Sequence, residues 1–356
     1  MNASITLRQQ KTGTIVAVLA CILVVVMLVA LSVGQVTIPL KEIVLIALHK
    51  TGLVAYEPDV VFETVLWNIR LPRIVMTVLI GASLAVSGAA LQGLFRNPLV
   101  EPGLIGVSSG AAFAVVLLVV FGSTLMVNAG TGLSLLMPLA AFLGGLLATT
   151  VVIKIGQQVG KTNIAVLILG GVAINALAGA LMGLVIFYAD ENQLRMFTFW
   201  TLGDLGGATW QKILIAAPLL LLSCVGMLKF QFPLNALALG EAEAFHMGVD
   251  VERVKKSIVF LGALGVGVSV SLAGIIGFVG LVVPHLVRVV FRADNRLVLP
   301  ASVLGGPVLL LAADMLARTL VAPSELPIGV VTALVGAPFF IFLLQKANQR
   351  KELNSR

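Results

Sequence analysis

The chain has 356 residues, 59% of them apolar and only 11% charged. Its mean hydropathy of +1.09 lies far from the soluble balance of roughly half apolar and a quarter charged, which excludes a water-soluble globule. The net charge of +7, from 23 basic and 16 acidic residues, reads in such a chain as an orientation signal and not as a nucleic-acid footprint. Cys21 and Cys224 lie far apart in apolar runs, so neither a disulfide framework nor a metal-ligand spacing is offered.

A bilayer core of about 30 Å takes roughly 20 apolar residues per helix. Residues 14–33, preceded by Arg8 and Lys11, form the first such stretch; it exceeds the h-region of a signal peptide, about 7–15 residues. Residues 34–68 suit an external segment. The second span, 71–95, is uncharged apart from Arg73 and stops ahead of Arg96-Asn97-Pro98, because a proline disfavours helix in the residue before it. The third and fourth follow at 103–121 and 133–153. After a basic loop at 154–161, Asn163 is positioned to cap a fifth helix at 164–188. Residues 190–210 mix polar groups with Phe197, Phe199, Trp200 and Trp210, which suits the membrane interface. The sixth span is 211–228, and the charged excursion at 229–256 is the main candidate docking surface.

Residues 257–287 carry no formal charge. One helix of that length would run about 46 Å at 1.5 Å per residue, too long for a single pass. If the run crosses twice, turning near residues 274–277, then Arg288, Arg292 and Arg296 fall on the same side as Arg253, Lys255, Lys256 and the basic tail. With further spans at 298–320 and 327–345, this gives one domain, 1–356, with an all-α fold of ten transmembrane helices and both termini cytoplasmic.

Several motifs are decoys. Gly156-Gln157-Gln158-Val159-Gly160-Lys161-Thr162 looks like a phosphate loop, but it has three residues between the glycines where four are required, and no strand precedes it. Any ATP chemistry therefore belongs to another chain, and this one is not an enzyme. Gly106-Val107-Ser108-Ser109-Gly110 matches a nucleophile elbow, yet the context is a membrane helix and no histidine is positioned to serve Ser108. The same residues give a Gly-xxx-Gly packing pattern, repeated at Gly179 and Gly183. His285, beside Pro284 at a helix end, reads as structural rather than as an iron ligand. Asp314 and Arg318 form an i, i+4 pair near the outer interface. An ion-coupled secondary transporter would carry buried ionisable relays and inverted repeats, and the core is poor in the former.

Arg70-Leu71-Pro72-Arg73, Gly81-Ala82 with Ser87-Gly88-Ala89, Phe95-Arg96-Asn97-Pro98-Leu99-Val100-Glu101-Pro102-Gly103, Gly277-Phe278-Val279-Gly280-Leu281-Val282-Val283-Pro284-His285, and Glu325-Leu326-Pro327-Ile328-Gly329-Val330-Val331-Thr332 occur in that order. Together they resemble the FecCD-type permeases of type II ABC importers, which carry haem, ferric siderophores and cobalamin. The segment 199–210 resembles that of haem permeases more than that of cobalamin permeases.

The resemblance implies a multi-pass permease of the bacterial inner membrane. It implies a homodimer, two ATP-binding-cassette ATPase subunits that hold ATP and Mg, and a periplasmic substrate-binding protein. No cofactor or metal is implied on this chain. By position, Arg70, Arg73 and Arg318 resemble the arginines that dock the binding protein. The segment at about 233–254, with Leu239, Gly240, Glu241, Ala242, Ala244, Met247 and Gly248, resembles the coupling helices that seat on the ATPase. Asn97, Leu99, Thr162 and Asn163 resemble the cytoplasmic gate. The function implied is import of haem or another iron chelate, with a ferric siderophore or cobalamin as the alternative cargo.

Overall fold

The computed structural model describes residues 2–122, 133–158 and 161–354. Helix α1 covers Asn2–Ser32 and α2 covers Leu40–Lys50. A short α3, Val60–Thr64, capped by Asp59, continues through a wide π turn at Val65–Arg70 into α4, Leu71–Leu94. Pro72 stands in the first turn of α4 and supplies no N–H to the helical ladder; the wide turn lies immediately before it. A 3-10 turn, Pro102–Ile105, leads into α5, Val107–Phe121, and α6 covers Leu133–Gly156. Two-residue strands β1, Gln157–Gln158, and β2, Lys161–Thr162, pair antiparallel.

Next come α7 (Ile164–Ile186), α8 (Glu191–Leu202) and α9 (Trp210–Leu228). Helices α10 (Gln231–Leu239) and α11 (Glu241–His246) precede α12 (Val251–Ala273). Helices α13 (Val279–Val290), α14 (Asn295–Thr319) and α15 (Ile328–Asn354) complete the chain.

Seven helices among the described residues are long and apolar enough to cross a membrane. Three shorter apolar helices, Val107–Phe121, Val279–Val290 and Ile328–Phe342, occupy the third, eighth and tenth expected spans. Each expected span thus coincides with an apolar helix. The shortfall in length has a local cause at two of them. At the third, Gly106, with φ +84°, ends the 3-10 turn and starts the helix four residues later than expected. At the eighth, the break after Ala273 takes residues 274–278 out of the helix.

That break falls at the turn expected near residues 274–277. Gly274 adopts φ +69°, and a Cβ there would lie 2.1 Å from the Trp200 carbonyl oxygen, so the turn needs both the left-handed backbone and the missing side chain. The Asp204 N–H donates to the Ala273 carbonyl at 2.9 Å, and the Phe278 N–H donates to Glu101 Oε1 at 3.1 Å. Two of the backbone groups freed by the break are thereby satisfied inside the protein, as a membrane interior demands.

Helix α4 is the hub. It packs on α9, α12, α13 and α14, and 83% of the most apolar window in its continuous helix, Val60–Leu94, is buried, against 6% for α1. Glycines allow this crowding: a Cβ on Gly88 would sit 1.9 Å from the Gly280 carbonyl oxygen, and one on Gly306 2.1 Å from that of Gly81. Such close backbone approach is how membrane helices gain dispersion contact without a hydrophobic driving force. Helices α5, α6 and α7 form a second layer, joined to the hub through α12. Gly110 packs as the Gly-xxx-Gly pattern implies, against Gly144 and Ala148 of α6, whereas Gly179 and Gly183 face nothing within 4 Å in this chain.

Residues 34–68 are partly helical. Ile38, Ile43, Ile46 and Leu66 form a small apolar cluster of their own. The Tyr56 hydroxyl donates to Glu42, and that bond, with help from the nearby Asp59 carboxylate, holds the phenol above its usual pKa. The segment 190–210 is likewise mainly helix: Asp190 and Gln193 form a reciprocal capping box at the start of α8.

Candidate coupling and gating sites

The three arginines expected to dock a partner converge at one end of the bundle, and all are buried. Arg73 is the keystone. Its Nε and Nη2 reach Asp314 Oδ1 at 2.9 and 2.8 Å, and its Nη1 reaches Glu325 Oε2 at 2.8 Å. Arg318 Nε lies 3.1 Å from Asp314 Oδ2, close enough for an ion pair although the two atoms are not aligned as a hydrogen bond. Arg70 donates to the backbone carbonyls of Leu31, Ser32 and Val36. Asp314 is wholly buried, while the Glu325 side chain is 36% exposed. The i, i+4 pair of Asp314 and Arg318 therefore exists, but as part of a four-residue network with Arg73 and Glu325 and not as an isolated surface pair.

At the other end, Asn97 closes a tight turn by accepting from the Leu99 N–H at 3.0 Å, and Leu99 is exposed. Asn163 caps α7 as expected, accepting from the N–H groups of Ala165 and Val166 at 3.0 and 3.3 Å. Asn163→Ala is expected to destabilise the chain by about 1 kcal/mol, read as a lowered midpoint in thermal unfolding of the detergent-solubilised protein. Thr162 beside it is buried. No hydrogen bond among the described residues joins the 97–99 turn to the 162–163 turn.

The phosphate-loop look-alike follows a helix and folds into the β1–β2 ladder; its residues 159 and 160 lie outside the described residues. The Gly-x-Ser-x-Gly stretch opens α5 after a 3-10 turn, not after a strand.

The charged excursion is two short helices hinged at Gly240, whose φ is +143°. Ala244 is fully buried and anchors α11 to the core, while Leu239 and Phe245 are each 70% exposed and Met247 47%. Glu241 and Ala242 are exposed as well. A groove of about 800 Å³ opens here, lined by Ala242, Phe245, Gly248 and Glu252 among others. Gly248, at φ +82°, turns the chain from α11 toward α12. Exposed apolar side chains rimmed by charge form the kind of patch that marks a protein contact. One residue that sequence reasoning missed sits beneath it: Lys255, buried, with its ammonium on Glu241 and Glu252. Nothing in its spacing distinguishes it from neighbouring Lys256.

The apolar helices make this a multi-pass membrane protein. The sequence matches the FecCD transport family over residues 22–346, and the chain belongs to that family of ABC transporter permeases. It is 45% identical over 285 residues to the hemin transport system permease protein HmuU of Yersinia pestis, covering 80% of this chain and 84% of that protein. It is 38% identical over 344 residues to the vitamin B12 import system permease protein BtuC of Klebsiella pneumoniae, covering 97% of each. A solved structure described as a metal-chelate type ABC transporter, in an inward-facing conformation, superposes with a TM-score of 0.81 at 32% identity. That match covers 94% of this chain and 99% of that one.

Proposed function

We propose that the chain is the membrane-spanning subunit of an ATP-driven importer that brings haem across the bacterial inner membrane. In this reading the ten apolar helices all cross, both termini are cytoplasmic, and two copies pair around the path. Two ATPase subunits, carrying ATP and Mg, seat on the 233–254 segment, and a periplasmic binding protein docks at the arginine end. The observation that carries the haem assignment is the 45% identity to a hemin permease. Cobalamin is the second reading, favoured by a B12 permease that aligns over 97% of both chains. A ferric siderophore fits the same framework.

The test is uptake by proteoliposomes holding the permease and its ATPase, supplied with the cognate binding protein loaded with haem, cobalamin or a ferric siderophore. Vanadate-sensitive uptake of haem alone supports the proposal, uptake of another cargo reassigns it, and ATP-independent uptake refutes the importer reading.

The docking proposal for Arg70, Arg73 and Arg318 must accommodate their burial. An arriving carboxylate would compete with Glu325 for Arg73, since Glu325 is the partly exposed member of the network. Glu325→Gln is therefore expected to tighten capture of the binding protein roughly two- to fivefold, the scale of one exposed ion pair, as read by surface plasmon resonance. Unchanged or weaker capture would count against docking at Arg73. Charge reversal of Arg73 is the poorer probe, because it would also break the network.

A further inference from the structure

Lys255 sits in the second turn of α12 and is only 3% exposed, a rare setting for a lysine. Its ammonium has three N–H groups, and three acceptors meet them. Glu241 Oε2 lies at 2.8 Å, the Thr162 carbonyl at 3.0 Å and Glu252 Oε1 at 3.2 Å. The second oxygen of Glu252 accepts from the Thr162 N–H at 2.9 Å. Both backbone polar groups of Thr162 are thus held from α12, one by Lys255 and one by Glu252.

These acceptors come from separate pieces of the fold. Glu241 opens α11, on the exposed excursion. Thr162 ends β2, immediately before the cap of α7. No covalent path shorter than 79 residues joins them, yet a single ammonium bonds to both. A cavity of about 430 Å³ opens beside the cluster, lined by Lys161, Thr162, Asn163, Glu241, Glu252 and Lys255 among others, so the groups have room to separate.

We propose that Lys255 is the positioning residue that transmits movement of α11 to the Thr162 turn and so to the start of α7. The inference rests on the importer reading above, in which an ATPase pushes on α11. A carboxylate holds an ammonium more strongly than a neutral carbonyl does. When α11 shifts, the ammonium follows Glu241 and releases the Thr162 carbonyl, while the Lys255–Glu252 pair keeps the buried charge compensated. The cluster therefore has two arrangements that both satisfy its charges, which is what a discrete switch requires.

The experiment uses the assembled complex in proteoliposomes with its loaded binding protein and reads cargo delivered per ATP hydrolysed. Glu241→Gln and Lys255→Met are each expected to lower that ratio about fivefold or more, the scale of typical coupling between sites. Lys255→Arg, which keeps charge and reach, is expected to restore most of it. In a Thr162→Cys background, maleimide labelling is expected to differ between nucleotide-free and vanadate-trapped complexes, and the difference is expected to vanish with Glu241→Gln. A parental ratio in both variants overturns the proposal, as does a matched fall in hydrolysis and uptake. Should Lys255→Met fail to assemble, Glu241→Gln decides the matter, since the Glu241 side chain is half exposed. Absence of ATP-driven uptake by the parent complex would instead refute the importer reading itself.

Discussion

Asp314→Asn is expected to destabilise the protein by about 3–5 kcal/mol, the cost of leaving buried charges without their partner. Asp314 has no exposure and answers both Arg73 and Arg318. Asparagine preserves the volume and removes the charge, so Arg73 would keep only Glu325 as a paired carboxylate and Arg318 would keep none. A shorter half-life at elevated temperature in detergent, followed by fluorescence size-exclusion, is the direct reading. The triple variant Arg73→Met, Asp314→Leu, Arg318→Met supplies the contrast. Deleting all three charges leaves less uncompensated charge behind than deleting one, so it is expected to be more stable than the single variant although it changes three residues. A triple variant no better than Asp314→Asn would show that the cluster matters for its shape and not its charge balance.

Gly88→Val is expected to be nearly as damaging for a different reason. Its Cβ would fall 1.9 Å from the oxygen and 2.6 Å from the carbon of the Gly280 carbonyl. Both are backbone atoms, so no rotamer change relieves the overlap and α4 must move away from α13. Overpacking typically costs about 1–3 kcal/mol and occasionally more; a clash with rigid backbone belongs at the upper end. Gly179→Ala is the control, because an added Cβ there meets nothing within 4 Å of this chain. The two variants should separate clearly in the thermal midpoint of the isolated subunit. Equal midpoints would mean that the close approach of α4 and α13 contributes little.

Local signals in the sequence were sufficient for the apolar helices and their stops. Pro98 marks the end of α4, Asn163 caps α7, and the uncharged run 257–287, too long for one pass, breaks beside Gly274. What a single sequence hides is contact across long separations. Asp314 pairs locally with Arg318, which helical spacing reveals, but its bond to Arg73 spans 241 positions and has no periodic signature. Lys255 is hidden for the same reason, being 93 positions from Thr162. Helices α2 and α8 carry no clear helical signal in their polar content; tertiary cover of Ile43, Ile46 and Phe197 supports them.

The central place of α4 bears on how the chain is made. Its buried Gln92 and Arg73 leave the ribosome well before the helices that will enclose them. The carboxylate of Glu325 is synthesised 252 residues after Arg73, which at 5–20 residues per second is a delay of roughly 10–50 s. For that interval the insertion machinery, or lipid at a cost, must shelter polar groups whose partners do not yet exist. Chains truncated before α14 should accordingly be retained by the translocon or degraded instead of settling in the bilayer.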